Sequence, residues 1–187
     1  VQPHDWVSNP AVAFTLPLAS VRKNDGRRPI DLDNLFFRGF MITRLTEKTL
    51  SQIDEIGKSF AEEASYPGGW SWFSFSKMWV PLLVSQLGTI FVVEDAGKLV
   101  GALGAIFIPD PYSGQLTAME QFWYVLPSHR KTRAGMDLFQ AFQEEAKKRQ
   151  VKKLVMVHLA SLTPESLQKF YEANGFRLAE QTFWKEL

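Results

Sequence analysis

Two spacings of apolar residues organise the chain from residue 40 onward. Residues 40–45 read as a strand. Over 49–64, Leu50, Ile53, Ile56, Phe60, Ala61 and Ala64 fall at helical spacing and predict a helix. The Ser65–Trp70 stretch SYPGGW breaks it, and an aromatic run follows with Trp70, Trp72, Phe73, Phe75 and Trp79. Met78, Leu82, Leu83 and Leu87 continue a second helical stripe, with Gly88 as the expected C-cap. Strands are predicted over 89–94 and 99–108, joined by the tight turn Asp95-Ala-Gly-Lys98, and again over 117–126. Residues 136–149 place Leu138, Phe139, Phe142 and Ala146 on one helix face. A buried strand is expected over 153–159. A helix capped by Thr163 runs from Pro164 to Ala173, and one or two final strands fall within 178–185. The result is an α+β order with an antiparallel meander at its centre. Residues 1–39 hold four prolines and an NDG turn signal, and read as an N-terminal arm with one short strand at 11–16, packed on the body or a partner.

Composition narrows the functions this order can serve. The chain has 187 residues, 45% hydrophobic and 22% charged, so it folds as one domain of ordinary size over 40–187 plus the arm. Lys plus Arg is 21 against 20 Asp plus Glu, which argues against a protein living on nucleic-acid phosphates. Cysteine is absent, so thiolate metal sites and an acyl-cysteine intermediate are excluded. Three scattered histidines, His4, His129 and His158, lack metal-ligand spacing, and no metal is expected. No apolar run spans a membrane and no secretion signal opens the chain, so a cytoplasmic protein is expected.

The richest chemistry lies in the segment from Phe122 to Leu138. An apolar strand stops at Pro127, three cations (Arg130, Lys131, Arg133) precede Gly135, and a helix follows. A helix N-terminus presents unpaired N–H groups and a positive dipole end, so an anion is a natural resident. A solvated connecting loop is the plain alternative.

Here the chain resembles a known family. Arg130-Lys-Thr-Arg133-Ala-Gly135 is similar to the acetyl-CoA-binding motif Arg/Gln-x-x-Gly-x-Gly/Ala of the GNAT superfamily of N-acetyltransferases, with Arg133 in place of its first glycine. Residues 167–176, LQKFYEANGF, resemble the late-helix signature Tyr-x-x-x-Gly-Phe, although Pro164 stands where many members carry an asparagine. The strand Glu120-Gln-Phe-Trp-Tyr-Val125 is similar to that of phage-encoded members. The resemblance covers residues 40–187. It implies a GNAT-like fold, a mostly antiparallel mixed sheet flanked by helices on both faces.

The resemblance also implies a reaction, transfer of an acetyl group from acetyl-CoA as co-substrate to a primary amine. Trp123, Tyr124 and Val125, with Arg130, Lys131, Thr132, Arg133, Ala134 and Gly135, are then expected to hold acetyl-CoA. A backbone N–H near Tyr124 or Val125 would face the developing oxyanion. Tyr171 matches the family's tyrosine beside the thioester sulfur and is the expected general acid; a packed core tyrosine is the alternative. Glu120 is the expected base, among aromatic neighbours that raise its pKa, and by alternation it shares a face with Phe122 and Tyr124 unless a bulge intervenes. An exposed or salt-bridged carboxylate is its alternative. His129 reads as a loop residue that can touch a phosphate, and His158 as a structural histidine. The cluster Trp70–Trp79 suits an acceptor wall, a core or a homodimer patch. Two other functions compete: a catalytically silent acyl-CoA-binding or structural protein, and, weakest, a nucleic-acid module using Arg27, Arg28 and the basic loop.

Overall fold

The computed structural model describes residues 35–37, 40–159, 162 and 164–185. The short strand expected at 11–16, the cap at Thr163 and Arg27 and Arg28 lie outside them. In chain order the elements are β1 (Leu35–Phe37), β2 (Phe40–Leu45), a 3₁₀ turn (Leu50–Ile53), α1 (Asp54–Glu63) and α2 (Trp72–Val84). Then come β3 (Gly88–Asp95), β4 (Lys98–Pro109), β5 (Leu116–Val125), a 3₁₀ turn (Pro127–His129), α3 (Ala134–Lys148), β6 (Lys153–Val155) and α4 (Pro164–Ala173). Residues 35–37, read from the sequence as part of the arm, are the outermost strand.

The six strands lie in the order β1-β2-β3-β4-β5-β6. All neighbours are antiparallel except β5 and β6, which are parallel. The expected turn joins β3 to β4, with Ala96 and Gly97 both at positive φ. Three consecutive residues of β5 show how the two helical layers are held. Phe122 meets Trp79 of α2 and Tyr124 meets Phe60 of α1, while Trp123 between them stacks on Phe139 of α3 and meets Phe170 of α4. Alternation along one strand thus supplies the cores on both faces. Near the sheet's other edge, buried Glu145 of α3 takes ion pairs from Arg44 of β2 and from Arg149. Among the described residues no helix is long and apolar enough to cross a membrane.

Three expectations from the sequence are corrected. Gly88 does not cap α2: the helix ends at Val84, and Gly88 opens β3 because a Cβ there would meet Leu82 at 2.8 Å. The strand expected over 153–159 pairs only as far as Val155. The last strand expected over 178–185 is absent, since that segment has no buried face: Leu178, Phe183 and Trp184 are all exposed.

The aromatic cluster constrains α1 at one glycine. Trp70 donates its indole N–H to Asp54 at 2.7 Å and lies 4.9 Å from the Phe75 ring, so the indole is pinned over Gly57. A Cβ at Gly57 would sit 2.2–2.4 Å from that indole. In an open helix, Gly→Ala gains about 1 kcal/mol. Here overpacking, typically about 1–3 kcal/mol, opposes the gain. Gly57→Ala is therefore expected to lower the thermal midpoint, and a raised midpoint in a melting scan would refute the packing argument.

Candidate active site

The site forms where β5 and β6 separate. They pair over Thr117–Lys153, Ala118–Leu154 and Met119–Val155, and no further. On its other side β5 stays paired with β4, but with one residue too many: Gly104 faces Phe122 and the next β4 residue, Ala105, faces Glu120. Gln121 is the extra residue, a β-bulge. It is accommodated at Gly104, where a Cβ would lie 2.2 Å from the Phe122 ring.

The bulge corrects the expected face of Glu120. Gly104 and Ala105 point to opposite faces, so Glu120 lies opposite Phe122 and Tyr124, on the α3 and α4 side with Trp123. The same pairing sorts the backbone beyond the bulge. The Leu126 N–H donates to the Val100 carbonyl, so residues 124 and 126 direct their backbone groups towards β4. Trp123 and Val125 direct theirs to the open edge. Of the two candidate oxyanion donors, Val125 is the one facing the opening.

Glu120 and Tyr171, fifty-one positions apart, meet at one peptide. Glu120 is 1% exposed, and its Oε2 accepts the Val157 N–H at 3.0 Å. The Tyr171 hydroxyl donates to the Val157 carbonyl at 3.0 Å. Glu120 Oε1 is buried and has no hydrogen-bond partner among the described residues. Burial pushes the Glu120 carboxyl up to about 8, against a smaller opposing effect of the Val157 N–H. Burial also raises the Tyr171 hydroxyl well above its ordinary value, and Glu120 adds to that. His158 lies beside the Tyr171 ring, and burial lowers its pKa.

The basic turn is built around backbone donors. Thr132 Oγ1 accepts the Ala134 N–H, and the first helical bond runs from the Asp137 N–H to the Arg133 carbonyl. The N–H groups of Gly135 and Met136 lie ahead of that bond. Arg133 has φ −83°, a conformation that needs no glycine. Its guanidinium is half exposed and turns back to Asp137 of α3 at 3.3 Å. Lys131 is exposed. Arg130 faces away from the helix N-terminus, to Glu63 of α1, a partner that nothing in the sequence signals. His129 is also tied down, bridging Ser128 and Asp95. Trp70, Phe75 and Trp79 of the aromatic cluster pack inward, in a chain that ends on Phe122, while Trp72 and Phe73 stay exposed.

These features fit a wider pattern. The sequence profile of the acetyltransferase (GNAT) domain matches residues 86–178, from just before β3 to just beyond α4. The chain belongs to the GNAT superfamily. No curated protein matches the sequence. Solved GNAT-fold structures do match the fold. One is a ribosomal-protein-alanine N-acetyltransferase from Brucella melitensis biovar Abortus 2308, with TM-score 0.61, 20% identity, and coverage of 79% of this chain and 99% of that one. A predicted acetyltransferase with acetyl-CoA from Clostridium acetobutylicum gives 0.64 at 18%, covering 79% and 95%. An aminoglycoside acetyltransferase from an uncultured soil metagenomic sample, in complex with sisomicin, gives 0.65 at 17%, covering 80% and 97%. At these identities the likeness is one of fold. Within this GNAT chain, the turn that departs from the family motif at Arg133 still leaves its backbone donors at the head of α3.

The buried carboxyl of Glu120 gives the GNAT domain a pH-dependent stability. Unfolded, a glutamate titrates near its ordinary value; folded, Glu120 holds its proton to about pH 8. Between these values the folded state binds more protons, so this group's stabilising effect is full at low pH and is lost as pH rises through 8. Glu120→Gln is uncharged throughout, so its stability relative to the parent should rise from pH 5 to about pH 8 and level off above it. Urea unfolding across that range checks this; parallel profiles would refute it.

Proposed function

We propose that this protein transfers the acetyl group of acetyl-CoA to a primary amine by direct attack in a ternary complex. The observation that carries the reading is the meeting of Glu120 and Tyr171 at Val157, where β5 and β6 part. The donor supplies a thioester, an acyl group already activated for attack by an amine.

The residues present suit that donor. Backbone N–H groups at the head of α3 are oriented for a pyrophosphate, and exposed Lys131 and Arg133 add positive potential. Trp123 and Val125 line the open strand edge, where a pantetheine arm would continue the ladder. The Val125 N–H is the oxyanion donor. Glu120 takes the proton from the incoming ammonium, because only the neutral amine attacks. Its Oε1, without a partner, is the atom left to do so. Tyr171 keeps its proton at any physiological pH and gives it to the leaving sulfur after turning from the Val157 carbonyl. With no cysteine in the chain, an acyl-cysteine route is closed. The carrier of the amine is not set by these residues; the solved relatives named above span a ribosomal-protein alanine and an aminoglycoside.

A second reading rests on the same two bonds. Glu120 and Tyr171 both hold Val157, so they also suit a strut that keeps the cleft open in a silent acyl-CoA-binding protein.

Two measurements separate these readings. Calorimetry should show CoA binding at submillimolar concentration; a folded protein that binds none at millimolar CoA removes both. With an amine panel and free-thiol detection, kcat/KM should rise with pH through an apparent pKa near 8, the value set by burial of Glu120. Glu120→Gln should lose that limb and about 10²–10⁴-fold in turnover while retaining CoA affinity. Its defect should shrink as pH nears the amine's own pKa. Tyr171→Phe should lose less with acyl donors whose leaving group needs no proton. CoA binding without turnover on any amine would establish the silent binder.

A further inference from the structure

The last residue of α1, Glu63, is joined to the end of β5 and to the basic turn, which follow it by 61 and 67 positions. Arg130 opens the basic turn and directs both terminal nitrogens to Glu63, Nη1 at 2.7 Å and Nη2 also in contact. Arg130 Nε donates to the Val125 carbonyl at 3.0 Å. Its guanidinium lies over the Tyr124 ring, and the Tyr124 hydroxyl donates to the same Glu63 carboxylate at 2.9 Å. Arg130, with Tyr124 assisting, holds the Glu63 carboxyl below the usual carboxylate range.

This sets Arg130 apart from Lys131 and Arg133. Their side chains are exposed at the surface, whereas Arg130 is largely buried and turned towards the body of the protein. A bidentate guanidinium–carboxylate pair fixes direction as well as distance. Arg130 therefore locates the entry to the turn, and its Nε locates the end of β5, whose Val125 faces the open edge. Both depend on a carboxylate carried by α1, sixty-seven positions earlier.

We propose that Glu63 is a positioning residue for the donor site: through Arg130 and Tyr124 it sets the 130–135 turn and the end of β5 in place against α1. The role rests on the reading of that turn as the acetyl-CoA site. It makes the seating of α1 and the geometry of the donor turn one linked property, so an element outside the turn governs how well the turn is organised before ligand arrives.

The test uses Glu63→Gln and Arg130→Gln, singly and together, with two readouts. Amide hydrogen exchange needs no ligand: Glu63→Gln should speed exchange at 129–136 while the centre of α3, 138–146, keeps its protection. In kinetics, the KM for acetyl-CoA should rise about tenfold with kcat altered far less, as expected for a turn displaced without damage to the reacting groups. The double variant should be no worse than Arg130→Gln alone, because the Arg130–Glu63 pair is lost in all three. Glu63→Asp should recover part of the loss, and it replaces Glu63→Gln if the latter does not fold. Unaltered exchange and unaltered KM in Glu63→Gln, or additive losses in the double variant, would overturn the role. A parent protein that ignores CoA while Glu63→Gln still loosens 129–136 would strike the proposed function and leave the positioning intact.

Discussion

One surplus backbone residue governs the centre of this molecule. Gln121 has no opposite number in β4, so every β5 residue after it changes its relation to those before it. Antiparallel pairing with β4 continues beyond the bulge, but parallel pairing with β6 stops just before it. Along the edge that opens, the backbone of Trp123 and Val125 faces away from β4, and the Val125 carbonyl is taken up by Arg130. The bulge also turns Glu120 to the α3 and α4 side, where it takes up the N–H of Val157. A cleft, a strand edge and a buried carboxyl all follow from a single insertion in register.

Charge inside the fold is handled in two ways. Glu63 and Glu145 keep their charge because guanidinium groups meet them, from Arg130 in one case and from Arg44 and Arg149 in the other. Glu120 meets no cation among the described residues and is held neutral to about pH 8 by burial. That difference separates structural carboxylates from one suited to exchanging a proton near neutrality. Arg133 belongs with the structural group. Its φ is that of an ordinary helical residue and its side chain turns to Asp137, so the motif's missing glycine costs the turn no backbone freedom.

Much of this was legible in the chain because it is local. Helical spacing marked α1, α2 and α3, a cap and Pro164 marked α4, apolar runs marked β2 to β5, and Ala96-Gly97 marked the hairpin of β3 and β4, since each signal is written within a few neighbouring residues. The GNAT resemblance rested on the turn before α3 and the end of α4, two segments whose backbone path is dictated by nearby glycines and caps. Candidates Glu120 and Tyr171 came from strand position and from that signature, and the fold brings them to the same peptide.

What depended on distance was not legible. Alternation alone assigns Glu120 to the face of Phe122; Gly101 and Gly104 hint at close packing or a bulge in β4, but which β5 residue is the extra one is a mismatch between two strands and is not written in either alone. The 178–185 segment has the apolar residues of a strand, yet a strand needs a ladder to pair with and a face to bury, and these residues form no ladder and stay exposed. Arg130 reads as a ligand cation from its neighbours and becomes a tie to α1 only when Glu63 is brought to it. The sequence by itself determined most of the elements and marked the candidate groups Glu120 and Tyr171, which depend on short-range spacing and side-chain chemistry. Tertiary structure decided which face, which partner and which charge state each group has, because register, burial and ion pairing are properties of segments packed together.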